Sequence, residues 1–267
     1  MVLSTDKGKP AERQGRKAKG PSRIGMAASC RKESFLCIKK TVLILSILVI
    51  LLLPSPAQGD NSYLDKSVMD KGIVKLNYQS DKTVAVRVSR GEISYYYIMR
   101  NGNNNIPLQL GSGEYIIRVL EHLDGNKYRQ VAQKTVNSNP ADVKAVYLQS
   151  IQMINWDKEM MAVKKAGQLT EGMENDGDKV RAIYNYIVGN IAYDHAKAQS
   201  VGAGYLPVVD EILKIKRGIC YDYASLFAVM LRSQGIPTKL LMGRKSDVQE
   251  YHAWNEVFLK EEGKWVT

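Results

Sequence analysis

Cys220 and His252 are the two side chains whose types and setting could do covalent chemistry, because a thiol beside an imidazole can attack a carbonyl carbon. Gly218-Ile219-Cys220 leads into a predicted helix over Tyr221–Ser233, with Tyr223, Leu226, Phe227, Met230 and Leu231 as its apolar stripe. Gly235 is the predicted cap, and Pro237 stops any continuation. Cys220 therefore falls in the first turn, where unpaired N–H groups and the helix dipole favour an anion and so a thiolate. Asp222 shares that turn and would oppose the thiolate if its carboxylate pointed at the sulfur. His252 opens a predicted strand, His252–Leu259, in which His252, Trp254, Glu256 and Phe258 share a face. From there an imidazole could take the thiol proton and later protonate the leaving group. His195, beside Tyr193-Asp194, is the rival base. The bland alternatives are a cysteine acting as a small buried hydrophobe and a histidine that is structural or at the surface.

The remaining cysteines, Cys30 and Cys37, lie in a basic leader. Residues 1–59 carry 11 Lys/Arg against 3 Asp/Glu, so +8 of the formal +11 belongs to the leader and only +3 to the rest. A nucleic-acid partner is not expected, since binding needs charge clustered on the folded surface. Residues 41–53 form an apolar run of 13 behind Lys39 and Lys40, short for a membrane span and suited to a signal-peptide core. Ala57-Gln58-Gly59 fits a cleavage site, and Met26 is an alternative start. A cleaved signal and an uncleaved N-terminal anchor both place the rest of the chain outside the cytoplasm, with any membrane contact confined to the N-terminal segment. An exported chain that keeps only Cys220 cannot use it for an internal disulfide.

Three parts are predicted: a leader over 1–59, a small all-β, sandwich-like domain over 60–140, and an α+β domain over 141–267. Strands are expected at Gly72–Gln79, Val84–Ser89, Ser94–Arg100, Ile106–Leu110 and Tyr115–Glu121, with turns at 101–105, 111–113 and 124–126. His122, near the last of these, reads as a surface residue. After Asn137-Ser138-Asn139-Pro140 the pattern becomes helical, with helices over Lys158–Gln168, Asp178–Asn190 and Val209–Ile215. A loop is expected from His195 to Tyr205, and strands at Thr238–Met242 and Lys264–Thr267.

Tyr193-Asp194, Gly218-Ile219-Cys220, Asp222-Tyr223-Ala224, Gly235-Ile236-Pro237 and His252-Ala253-Trp254-Asn255-Glu256 together closely resemble the transglutaminase-like superfamily of the papain-like cysteine enzymes. The resemblance covers residues 178–267. It implies a nucleophile helix packed on an antiparallel sheet, with Cys220 as nucleophile, His252 as base, and then an aspartate that orients the imidazole. That aspartate should follow the Trp265 strand, yet no acidic residue follows Trp265, so the domain is expected to be C-terminally incomplete. The implied chemistry is acyl transfer or hydrolysis at amide bonds of a protein or peptide substrate, envelope- or wall-associated in an exported protein. A non-catalytic surface scaffold is the alternative. No cofactor is expected, and no metal, since no Cys or His pair has ligand spacing.

Overall fold

The computed structural model describes residues 63–267 apart from 101, 203, 246 and 247. The leader, with its apolar run at 41–53, lies outside the described residues. Among these, no helix is long and apolar enough to cross a membrane.

In the first part of the described chain, apart from a 3-10 turn at Met69–Lys71, the regular structure is antiparallel strand. β1 (Leu64–Asp65), β2 (Ile73–Tyr78) and β5 (Gly102–Pro107) form one sheet in the order β1-β2-β5. β3 (Val84–Arg90), β4 (Ile93–Ile98), β6 (Gly113–Asp124) and β7 (Lys127–Ser138) form a second, in the order β4-β3-β6-β7. Alternation decides which face is inside: Val86, Val88, Tyr97, Ile117 and Val119 are buried together with Val74, Leu76 and Ile106. Two expectations need correction. The Asn-rich stretch predicted as a turn is most of β5, paired with β2 from Ile73↔Pro107 to Tyr78↔Gly102. The Asn104 amide there accepts from the Arg100 N–H and donates to the Arg100 and Gly102 carbonyls, replacing turn bonds with a strand end. β7, twelve residues long, carries no strong strand signal because as a sheet edge it exposes most of its side chains.

The second part brings helices against a further sheet. α1 (Met161–Leu169), α2 (Asp176–Asn190), α3 (His195–Ser200) and α4 (Val209–Ile215) surround α5 (Cys220–Ser233). Asn175 accepts from the Asp178 N–H and so caps α2. The predicted loop at 195–205 begins instead as α3, because the Asp194 side chain accepts from the Lys197 N–H at 2.9 Å. α5 ends as predicted: the Ile236 N–H reaches the Leu231 carbonyl and the Gly235 N–H the Arg232 carbonyl, with Gly235 at φ 77°. β10 (Thr238–Lys245), β11 (Val248–Leu259) and β12 (Lys264–Val266) make the antiparallel sheet, in that order. Ala253, Val257 and Leu259 of β11 are buried, and the Asn255 amide donates to the Ala224 carbonyl of α5. The mixed α and β architecture is the one expected.

Candidate functional site

Two short strands fix the approach to Cys220. β8 (Ala192–Tyr193) runs parallel to β9 (Arg217–Gly218), and the Asp194 N–H donates to the Gly218 carbonyl. Gly218 is required by space, since a Cβ there would stand 2.7 Å from the Asp222 Cβ. That close approach lets the Asp222 carboxylate fold back to accept the Ile219 N–H at 2.9 Å. Ile219 has no side-chain acceptor to cap α5, so the first N–H groups of the helix keep their capacity for an anion.

Asp222 is fully buried, and its direction is settled. Besides the Ile219 N–H it accepts from the Lys197 ammonium at 2.6 Å and the Tyr205 hydroxyl at 2.6 Å. Lys197 also donates to the Tyr205 oxygen at 2.7 Å. Burial works against the Lys197 charge, but the bonds to Asp222 and Tyr205 outweigh it and hold the ammonium above the ordinary lysine range. Burial first, and the Asp222 carboxylate second, push the Tyr205 phenol up. The carboxylate is thus neutralised by the segment ahead of α5.

Cys220 is a half-buried free thiol. His252 is half-buried and pairs with Gly243 of β10, beside an irregularity in the β10–β11 register. The two residues line the same two cavities. The larger, about 710 Å³, is walled by Tyr184, Tyr223, Phe227 and Val257. The other, about 360 Å³, lies under the 193–205 segment and is bordered by Tyr205, Tyr221 and Tyr251. The Tyr221 hydroxyl is buried without a hydrogen-bond partner among the described residues. His195 lines neither cavity and instead packs its ring on Tyr193 at 4.9 Å. No hydrogen bond or ion pair to the His252 ring occurs among the described residues. Nor do these hold a cluster of His, Cys, Asp and Glu able to bind a metal.

Sequence reasoning brought out Cys220 and His252 but missed Lys197 and Tyr205. Its nearest signal was Asp222, an acid in a turn destined for burial that had to find a cation. Tyr184 also departs from expectation. Its spacing from Val180 and Ile187 on α2 would place it on an apolar face, yet it stays 55% exposed as part of the cavity wall.

Residues 163–267 match the family described as the transglutaminase-like superfamily. Over 117 residues the chain is 29% identical to the uncharacterized protein YebA of Bacillus subtilis (strain 168), covering 38% of this chain and 16% of that protein. Over 157 residues it is 29% identical to the kyphoscoliosis peptidase of Homo sapiens, covering 51% of this chain and 23% of that one. The match therefore spans less than a quarter of either relative. Among solved structures, the periplasmic domain of TgpA from Pseudomonas aeruginosa aligns at a TM-score of 0.38 and 16% identity, over 76% of this chain and 90% of that one.

Proposed function

Since residues 163–267 belong to the transglutaminase-like superfamily, we propose that the chain is an exported cysteine enzyme acting on amide bonds of a protein or peptide. Cys220 is the nucleophile and His252 the general base. The supporting observation is that both border the same two cavities, with Cys220 in the first turn of α5. His252 takes the thiol proton as the sulfur attacks the amide carbonyl. The Cys220 backbone N–H supplies a donor for the oxyanion that forms. As the C–N bond breaks, the imidazolium returns its proton to the departing amine, leaving a thioester on Cys220. Water then gives hydrolysis, and a second amine gives transfer. Cavities on both sides of the thiol suit a polypeptide laid across it. Aromatic and aliphatic walls favour apolar side chains beside the scissile bond.

A second reading is a non-catalytic surface module. It is favoured by the His252 ring, which has no acceptor among the described residues to fix its orientation.

The test uses peptide and glutamine-donor substrates side by side, with intact-protein mass spectrometry after rapid acid quench. The wild type should carry an acyl adduct that hydroxylamine removes. Cys220→Ala should carry none while keeping its circular dichroism. A wild type without adduct or turnover on both substrate types would favour the surface-module reading.

A further inference from the structure

The outer face of the β4-β3-β6-β7 sheet carries a feature that the thiol chemistry does not use. Tyr96, Arg87, Arg118 and Gln133 stand in one row across all four strands. The register pairs Arg87 with Tyr96 on one side and Arg118 on the other, and Arg118 with Gln133. Two arginines directly opposite each other in an antiparallel pair repel, which a sheet avoids without compensation. Neither meets a carboxylate among the described residues. Neutral groups hold both heads instead.

Arg87 donates through Nε and Nη2 to the Ser94 hydroxyl at 3.1 and 3.0 Å, and its guanidinium lies 5.8 Å from the Tyr96 ring centre. Arg118 donates through Nε to Gln133 Oε1 at 2.8 Å and through Nη1 to the Ser89 hydroxyl at 3.3 Å. Ser89 in turn donates to the Ile116 carbonyl. Ser89 and Ser94 are only 5% and 7% exposed, so the tethers are buried beneath the arginines. A guanidinium has five N–H groups, and each arginine commits two, leaving three apiece to face outward. A cavity of about 410 Å³ lies over Arg87, Arg118 and Ser89, with Ile116 in its floor and the exposed Glu114 at its rim.

We propose that this face binds a tetrahedral oxyanion of the phosphate class between Arg87 and Arg118. A carboxylate has two oxygens and is satisfied by one guanidinium fork, whereas a phosphate offers at least three acceptors and can take both forks. Two negative charges on the ligand also cancel the repulsion that the register imposes on the empty site. The site is independent of Cys220 and His252, so its failure would leave the proposed chemistry untouched.

The full chain should be titrated calorimetrically in low salt with inorganic phosphate, glycerol phosphate and acetate in separate runs. Phosphate should bind saturably, and acetate weaker by about tenfold or more, since it fills one fork. Equal binding of glycerol phosphate would identify a monoester as the natural source, and its exclusion would identify the free ion; both keep the site. Arg87→Gln with Arg118→Gln should lose phosphate binding by about tenfold or more, as should Arg118→Lys, which keeps the charge but loses the fork. In phosphate-free buffer the double variant should melt no lower than wild type, because it relieves a like-charge pair, and only wild type should gain Tm from phosphate. The assignment is overturned if phosphate fails to bind, if acetate binds equally well, or if Arg118→Lys retains full affinity.

Discussion

A thiol works as a nucleophile only when a base can take its proton and nearby negative charge is directed elsewhere. Asp222, two residues from Cys220, could have spoiled the second condition. Its oxygens are instead given to Lys197, Tyr205 and the Ile219 N–H. In the proposed mechanism the first condition falls to His252. At pH 6.5, iodoacetamide should alkylate Cys220 faster than a free-cysteine peptide, and His252→Gln should slow it to the peptide's rate. The same variant should lower acyl transfer by about 10²–10⁴-fold, the usual worth of a positioned general base. Unchanged alkylation and turnover in His252→Gln would remove the histidine from the mechanism. The place of Cys220 at the head of a helix was legible in the sequence, as was that of His252 on a strand, although β11 begins at Val248 and not at His252 as the alternation suggests. The partners of Asp222 were not legible, since Lys197 and Tyr205 lie 25 and 17 positions away and meet it only through the fold.

Among the elements, α3 is the least legible and is tied directly to α5. Its six residues have too few apolar positions for a periodic signal, and Lys197 ties it to the head of α5. The tie has a pH signature. Both Lys197 and Tyr205 have folded values raised above their ordinary ones, so folding favours their protonated forms. For each, the stability gain is complete below the ordinary value of about 10–10.5 and is lost as pH rises through the folded one. Lys197→Met should therefore lower Tm at pH 8, and the gap to wild type should narrow as pH climbs past about 10.5. A gap that is constant across that range would mean the lysine acts through packing of its stem rather than its charge. Because the tie also shapes the cavity under 193–205, the variant should raise KM more than it lowers kcat. β5 teaches a related lesson: asparagines with poor strand propensity are held as a strand by pairing with β2, which local sequence does not show.

Over the whole described chain, one buried cluster runs from Val74 and Val86 in the first sheets to Leu226 and Met230 in α5, so the strand-rich and helix-rich parts share a core. The sequence showed the change of periodicity near Asn139 but not the stitching across it, because the stitches are polar and single. Asn105 donates to the Ser150 carbonyl, and Tyr147 donates to the Gln109 carbonyl while packing its ring on Trp265 at 5.2 Å. Arg232 is a buried polar anchor within the helix-rich part itself. It is buried at 4% exposure, and burial pulls its guanidinium below the ordinary arginine value, with Tyr147 acting in the opposite direction. It donates to the Thr238 carbonyl through Nε and Nη2 and to the Gln149 carbonyl through Nη1, and no carboxylate pairs with it among the described residues. Arg232→Met fills similar space, frees the interior of a charge, and leaves those carbonyls without their donor. Orphaned buried acceptors cost about 1–3 kcal/mol each, partly offset by the relieved charge, so a net loss of about 2 kcal/mol is expected. Urea unfolding should show it as a lower midpoint with an unchanged slope, in one transition, if the shared core unfolds as a unit. A variant as stable as wild type would mean that burying the unpaired charge costs as much as its three hydrogen bonds return. A second transition appearing at low urea would mean that the helix-rich part no longer unfolds together with the strand-rich part once the guanidinium is gone.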